Sequence, residues 1–349
     1  MPVMNGKSRI SYSSIVMKAK ILWGLALAVI VGCGSTGDTA KTEAKEGAPA
    51  AGGEFKVALL TLGSVNDSGW NSMAYEALNG IKSDMSATVD NQEVPPTNAK
   101  DALRSYAQKG YNLVFGHGYE YNEPMAAVGP DFKDTIFISS SGGKTASNVG
   151  AFRFYLEQSF YLAGMLAAKQ SKTGVIGSVA VLDIPSINST LKAYEAGAKA
   201  ANPNIKVLPP VYFGVENDIA KAKQLTESII AQKADFVIHQ ANAAAKGVFD
   251  ACAEKGVSAL GSNLNQNSEK GVVASAFIVA KPAFLQLAKS VKDKTFKGEI
   301  VLVGMDSGTI DFEINPEYKS KVPADLIKLL DETKENIRTG KLVVPKDEF

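Results

Sequence analysis

The densest group of residues able to hold a small molecule lies between Gly63 and Asn71, where Asn66, Asp67, Ser68 and Asn71 offer donors and acceptors beside the flat ring of Trp70. An indole near a helix start is a surface on which a planar molecule can stack. The same residue types also serve folding, since Asp67 or Ser68 can cap a helix and Trp70 can fill a core. A second group, Gly116 to Asn122, mixes His117, Tyr119 and Tyr121 with glycines that let the backbone approach a ligand closely. Later in the chain Asp183, Phe213, Gln240, Asn242, Asn263 and Asn265 stand at or just after the ends of apolar runs. Amides outnumber charges among them. A pocket of that kind suits a neutral, flat, hydrogen-bonding solute better than a phosphate or a sugar acid.

Groups that break bonds are scarce. His117 and His239 are the only histidines, and neither has metal-ligand spacing. No Gly-x-Ser-x-Gly elbow occurs, nor a complete Gly-x-x-x-x-Gly-Lys-Ser/Thr phosphate-binding loop, and no dinucleotide glycine fingerprint follows the first apolar run. A hydrolase working through carboxylates would need a cluster of them, which Asp67 alone does not make. The protein therefore reads as a binder without catalytic residues, metal or cofactor. With 37 basic against 36 acidic residues and a net charge of +1, it carries no electrostatic footprint for nucleic acid. Cys252, in a helical stretch from Ala244 to Lys255, reads as a small buried hydrophobe.

The beginning of the chain is an address. Lys18 and Lys20 precede an apolar run from Ile21 to Val31 that ends in Val31-Gly32-Cys33-Gly34. That run is shorter than the ~20 residues needed to cross a bilayer as a helix, and its charge pattern is that of a signal peptide. Small residues before Cys33 resemble a bacterial lipobox, in which the cysteine receives lipid and becomes the new N-terminus; the other reading is a chance cysteine beside an ordinary cleavage site. Residues 1–32 are thus expected to be a signal peptide, starting functionally at Met1 or Met17. Residues 33–53, rich in Gly, Ala, Lys, Glu and Thr, are expected to be a flexible tether. This places the protein at the cell membrane, lipid-anchored, on the extracytoplasmic side.

From Glu54 the patterning becomes that of a folded protein. Apolar runs at Phe55 to Leu60, Asn112 to Phe115, Thr135 to Ser139, Gly174 to Leu182, Lys206 to Phe213, Asp235 to His239, Val257 to Gly261 and Val272 to Phe277 predict strands. Helix-length segments separate most of them, including Gly69 to Met85, Glu157 to Gln170 and Ile219 to Gln232. Repeated βα units mean parallel sheets with both faces covered, and about 300 residues exceed what one such core usually holds, so two lobes are expected. Ala107-Gln108-Lys109 before His117 echoes Ala231-Gln232-Lys233 before His239, which suggests equivalent positions in two related lobes. In parallel sheets the loops leaving the C-terminal strand ends carry ligand chemistry, and the residues singled out above fall there.

Lys56 to Leu60 followed by Asn66-Asp67-Ser68-Gly69-Trp70-Asn71-Ser72-Met73-Ala74-Tyr75-Glu76 resembles the opening of the basic membrane protein family, lipoprotein receptors similar to purine nucleoside receptor A. Asn112 to Tyr121, Gln158 to Ala168 and Gly271 to Ser275 extend the resemblance over nearly everything after the tether. It implies a type I periplasmic-binding-protein fold: two doubly wound lobes, residues 54–154 with about 279–306 and residues 155–278 with about 307–349, joined by three crossovers. It further implies capture of a purine base or nucleoside between the lobes and delivery to an ABC transporter permease. A surface lipoprotein that binds host or matrix protein is the alternative, and a nucleoside-processing hydrolase a more remote one. Two positions depart from the family pattern. Asn263 stands where an aspartate commonly grips ribose hydroxyls, and Ile278 stands near a frequent lysine, with Lys281 out of register. An amide presents one acceptor and one donor group where a carboxylate accepts two hydrogen bonds from a vicinal diol, so a free base or a differently decorated nucleoside is favoured over an ordinary ribonucleoside.

Overall fold

The computed structural model describes residues 54–67, 69–215 and 217–348, and residues 53–349 form a compact unit by themselves. The signal peptide, the tether, Cys33 and Ser68 lie outside the described residues. In chain order the elements are β1 (Lys56–Thr61), α1 (Trp70–Met85), β2 (Thr88–Glu93), α2 (Ala99–Gln108), β3 (Leu113–His117), α3 (Asn122–Val128), β4 (Ile136–Ser140), β5 (Val149–Phe154), α4 (Glu157–Gln170), β6 (Val175–Ala180) and α5 (Pro185–Ala201). They continue with β7 (Lys206–Val207), β8 (Val211–Tyr212), α6 (Ile219–Ala231), β9 (Phe236–Gln240), α7 (Ala245–Lys255), β10 (Ser258–Asn263), β11 (Val272–Ile278), α8 (Ala280–Lys292), β12 (Ile300–Val303), β13 (Ile310–Ile314), α9 (Pro316–Lys319) and α10 (Ala324–Arg338).

Two sheets result. The first has the order β12-β5-β4-β3-β1-β2 and is parallel throughout. The second has the order β13-β11-β10-β9-β6-β7, with β8 also on β6, and is parallel except for β13. β13 follows β12 with no intervening helix, and it enters the second sheet antiparallel to β11 as an edge strand. The run expected from Lys206 to Phe213 is two short pieces, because Pro209 and Pro210 lack the N–H groups a ladder needs.

The central strands read as unbroken apolar runs because each face meets a different core. In β1, Val57 and Leu59 enter the largest cluster, while Ala58 and Leu60 enter another beneath α2 and α3. In β9, Phe236 and Ile238 join the same large cluster, and Val237 faces a third. Helices α4 and α5 approach so closely that a Cβ on Gly164 would lie 2.0 Å from the Tyr194 carbonyl oxygen, and one on Gly197 would lie 1.9 Å from that of Tyr161.

The chain passes between the sheets three times, after β5, after β11 and after β12. These crossings are stitched together: Tyr155 N–H donates to the Val303 carbonyl at 2.8 Å, Val279 N–H to Thr309 at 2.7 Å, and Met305 N–H to Gln158 Oε1 at 2.7 Å. The last residues run back over the first crossing. Arg153 pairs with Glu157 and donates to the Asp347 carbonyl at 2.6 Å, Ser189 receives Asp347 N–H at 2.9 Å, and Tyr155 OH donates to the Val344 carbonyl.

Candidate ligand-binding site

The loop after β1 is organised by Asp67. Its Oδ1 accepts from the amides of Gly69 (3.0 Å) and Ser72 (2.9 Å), and its Oδ2 accepts from the amide and the side-chain Nδ2 of Asn71 (both 2.9 Å). These are amides that the first turn of α1 cannot satisfy internally. Asp67 thus acts as the helix cap, and its four acceptor sites are committed to the protein's own donors. Asn71 is buried, and its Oδ1 has no protein partner. Asn66, by contrast, is exposed.

Trp70, half-buried, lies on the ring of His117 with centroids 4.0 Å apart and planes 20° apart; Phe154 meets it edge-on at 5.7 Å. His117 is 1% exposed. Its Nε2 lies 2.9 Å from the Trp70 carbonyl oxygen and its Nδ1 lies 3.0 Å from Ser140 Oγ. Burial pushes the imidazole pKa down to about 3, against the opposing pull of the Trp70 carbonyl and the Asp67 charge, so the ring is neutral at pH 7. The rest of this loop divides. Tyr119 is 53% exposed, whereas Tyr121 is buried in the core beside α2 and α3, its OH donating to the Val94 carbonyl at 2.6 Å. Tyr121 as a ligand contact is therefore corrected: the 3-10 turn Tyr119–Tyr121 aims the second tyrosine into the core.

On the second sheet, Asn242 and Asn263 follow or end β9 and β10 in left-handed backbone, with φ of 40° and 63°. Asparagine tolerates this conformation through its short polar side chain. Their side chains touch, Asn263 Nδ2 lying 3.4 Å from Asn242 Oδ1. The two sheets' loops meet here, since a Cβ on Gly69 would lie 3.1 Å from Asn242 Oδ1. Beside them, Gln266 Oε1 accepts from Ser262 N–H (2.9 Å) and His239 Nε2–H (3.0 Å), while Ser262 Oγ and His239 Nδ1 are buried without protein partners. Burial lowers the His239 pKa to about 4.

The remaining candidates are drawn elsewhere. Gln240 donates to Thr190 Oγ1 at 3.2 Å, Asp183 is exposed and accepts from Asn188 at 2.6 Å, and Phe213 packs into the second sheet's core. Asn265 is exposed, its Nδ2 donating to Glu313 Oε2 at 2.7 Å and its Oδ1 accepting from the Asn267 amide at 3.1 Å. Ile278 is core, and Lys281 pairs with Asp84 at 2.9 Å near the far end of α1. Sequence reasoning missed Ser140, Phe154, Ser262 and the approach of Gly69 to Asn242. A serine after an apolar run carries no distinctive signal.

The geometry can hold a molecule better than transform one. Both imidazoles are neutral and engaged through Nε2, and the Cys252 thiol is buried among apolar side chains and pushed up to about 12. Among the described residues, no group of three or more His, Cys, Asp or Glu could hold a metal ion.

Residues 55–348 match the family described as "ABC transporter substrate-binding protein PnrA-like". The chain is 24% identical over 302 residues to a purine-binding protein of Brucella abortus, covering 85% of this chain and 84% of that one. It is 27% identical over 352 residues to the ABC transporter nucleoside-binding protein BmpA of Lactococcus lactis, covering 92% and 95%. A solved ABC transporter solute-binding protein of Aeropyrum pernix superposes with a TM-score of 0.74 at 20% identity, over 84% of this chain and 94% of that one, which shows the periplasmic-binding-protein fold. The chain is accordingly an extracytoplasmic solute-binding protein and not an enzyme, and it belongs to the PnrA-like family of ABC transporter substrate-binding proteins.

Proposed function

We propose that the protein captures a purine base or nucleoside between two lobes, each built on one sheet, and presents it to an ABC permease. The observation that carries this reading is the convergence of Trp70 and Asn71 with Asn242 and Asn263 through the contact of Gly69 with Asn242. A purine needs what such a site supplies: a flat apolar surface and edge groups that both donate and accept. Stacking on Trp70 is worth about 1–3 kcal/mol. Asn71 Oδ1 can take an N–H, and the two asparagine amides can read a ring edge. Binding proteins of Brucella abortus and Lactococcus lactis named for purine and nucleoside binding support the same ligand class.

Asn263 favours a free base, because its amide cannot accept two hydrogen bonds from a ribose diol as a carboxylate does. Ligand would dock on one lobe and shift the three-crossover hinge by contacts to the other. Cys33, lipidated, would tether the receptor to the membrane. Calorimetric titration with adenine, guanine, hypoxanthine, adenosine, guanosine and inosine tests the ligand class. Binding of at least one base supports it, ribonucleosides clearly tighter than bases overturn the preference for a base, and no binding by any of the six overturns the purine reading.

A further inference from the structure

His117 was expected to face the ligand, yet the structure leaves it no polar atom with which to do so. A carbonyl oxygen only accepts, so the 2.9 Å contact to the Trp70 carbonyl puts the imidazole proton on Nε2. The Nδ1 lone pair then accepts from the Ser140 hydroxyl at 3.0 Å. The ring is held at opposite edges, by the last residue of β4 on one side and the first residue of α1 on the other, while its face lies 4.0 Å from the indole. Rotating it would break two hydrogen bonds at a residue 1% exposed. Phe154 bounds the indole edge-on at 5.7 Å. A continuous path, Ser140 to His117 to Trp70, thus joins the interior of the first sheet to a half-buried aromatic ring.

We infer that His117 is a positioning residue that sets the plane of the Trp70 ring from beneath, without touching the ligand itself. This rests on Trp70 being the stacking surface of the proposed site. Backbone capping by Asp67 fixes where the Trp70 main chain lies but leaves the side-chain torsions free. The imidazole face supplies that second constraint, and its link to the Trp70 carbonyl ties ring and backbone together.

The test uses the full chain carrying Trp23→Phe, in which Trp70 is the sole tryptophan. His117→Phe keeps a flat ring but loses both hydrogen bonds. Ser140→Ala loosens only the far anchor. His117→Gln discards the ring and retains a donor for the Trp70 carbonyl. Acrylamide quenching of Trp70 is read without ligand, and adenine association and dissociation are read by stopped flow. His117→Phe is expected to raise the quenching constant about twofold and adenine dissociation about tenfold, with association little changed. Ser140→Ala should fall between it and the parent, and His117→Gln, which loses the stacked face, should raise quenching at least as far as His117→Phe. Quenching unchanged in both the Phe and Ala variants overturns the inference, and if the Phe variant does not fold, Ser140→Ala decides alone. Failure of adenine to bind the parent would count against adenine as the ligand, while the quenching series still decides whether His117 positions Trp70.

Discussion

Gly69 and Asn242 touch with no room between them: a Cβ added to Gly69 would lie 3.1 Å from Asn242 Oδ1 and 3.2 Å from its Cα. One residue precedes the first helix of the first sheet, and the other follows β9 of the second. The obstacle is backbone as well as side chain, so Asn242 cannot simply swing aside. Gly69→Ala should therefore act as a wedge. Moving backbone by a few tenths of an ångström at the meeting point should weaken purine binding about threefold to tenfold and leave the ligand-free melting temperature nearly unchanged. Calorimetry and thermal melts of parent and variant check this, and an equal loss in both would mark a folding defect instead.

Asp67 should prove to be a fold residue before it is a ligand residue. Its carboxylate receives four donors at 2.9–3.0 Å from Gly69, Asn71 and Ser72. Asp67→Ala removes a helix cap, an effect worth about 1–2 kcal/mol. Urea unfolding of the ligand-free protein should show that loss, with Asp67→Asn intermediate because an amide retains only one accepting oxygen. A carboxylate that mainly gripped ligand would leave ligand-free stability unaltered and affect affinity alone.

That case illustrates what a sequence can and cannot disclose. Phe55 to Leu60 and Asp235 to His239 were legible as strands because both faces of β1 and β9 are buried, so their apolar residues run together. β2, Thr-Val-Asp-Asn-Gln-Glu, is a largely exposed edge strand and offers no such run, while β5 hides behind Gly150 and Arg153. The site's loops were identifiable from strand ends, but the direction of each side chain was not. Asp67 has the right chemistry both for a cap and for a ligand contact, and only the hydrogen-bond geometry separates the two. Tyr119 and Tyr121 differ by two positions and point to opposite environments. The approach of Gly69 to Asn242 depends on how the two sheets' loops converge, which no local pattern encodes.

Acid should destabilise the fold through both histidines. Burial lowers His117 to about 3 and His239 to about 4 from an ordinary value of 6.5. Between those values and 6.5 the unfolded chain binds protons that the folded chain refuses, so stability is full above about pH 6.5 and falls as pH drops toward the folded values. Each histidine contributes a slope of about 1.4 kcal/mol per pH unit in its window, so the pair gives nearly 3 between about pH 5.5 and pH 4.5. Urea midpoints taken from pH 7.5 to pH 4.5 check this. His239→Gln, which keeps an amide to meet Gln266, should roughly halve the histidine part of the slope, and a slope unchanged by that replacement would contradict the assignment.

The return of the C-terminal residues over the first crossing should be coupled to a buried ion pair. Arg153, 9% exposed at its side chain, reaches both Glu157, 1% exposed, and the Asp347 carbonyl, while Ser189 Oγ–H donates to Glu157 Oε1 at 2.5 Å and receives the Asp347 amide. Breaking one half of a buried pair leaves a desolvated charge, which costs about 3–5 kcal/mol, whereas replacing both halves by apolar groups of similar volume is often neutral. Arg153→Met alone should therefore destabilise strongly, and Arg153→Met with Glu157→Leu should recover most of the loss. Because Arg153 also holds the Asp347 carbonyl, both variants should expose residues 343–349 to carboxypeptidase faster than the parent. Recovery of stability without recovery of protease resistance would separate the electrostatic cost at Glu157 from the anchoring of the C-terminal segment. Slow digestion in the double variant would instead assign the anchoring to Tyr155, whose hydroxyl holds the Val344 carbonyl, and to Lys192, which pairs with Asp347 at 2.6 Å.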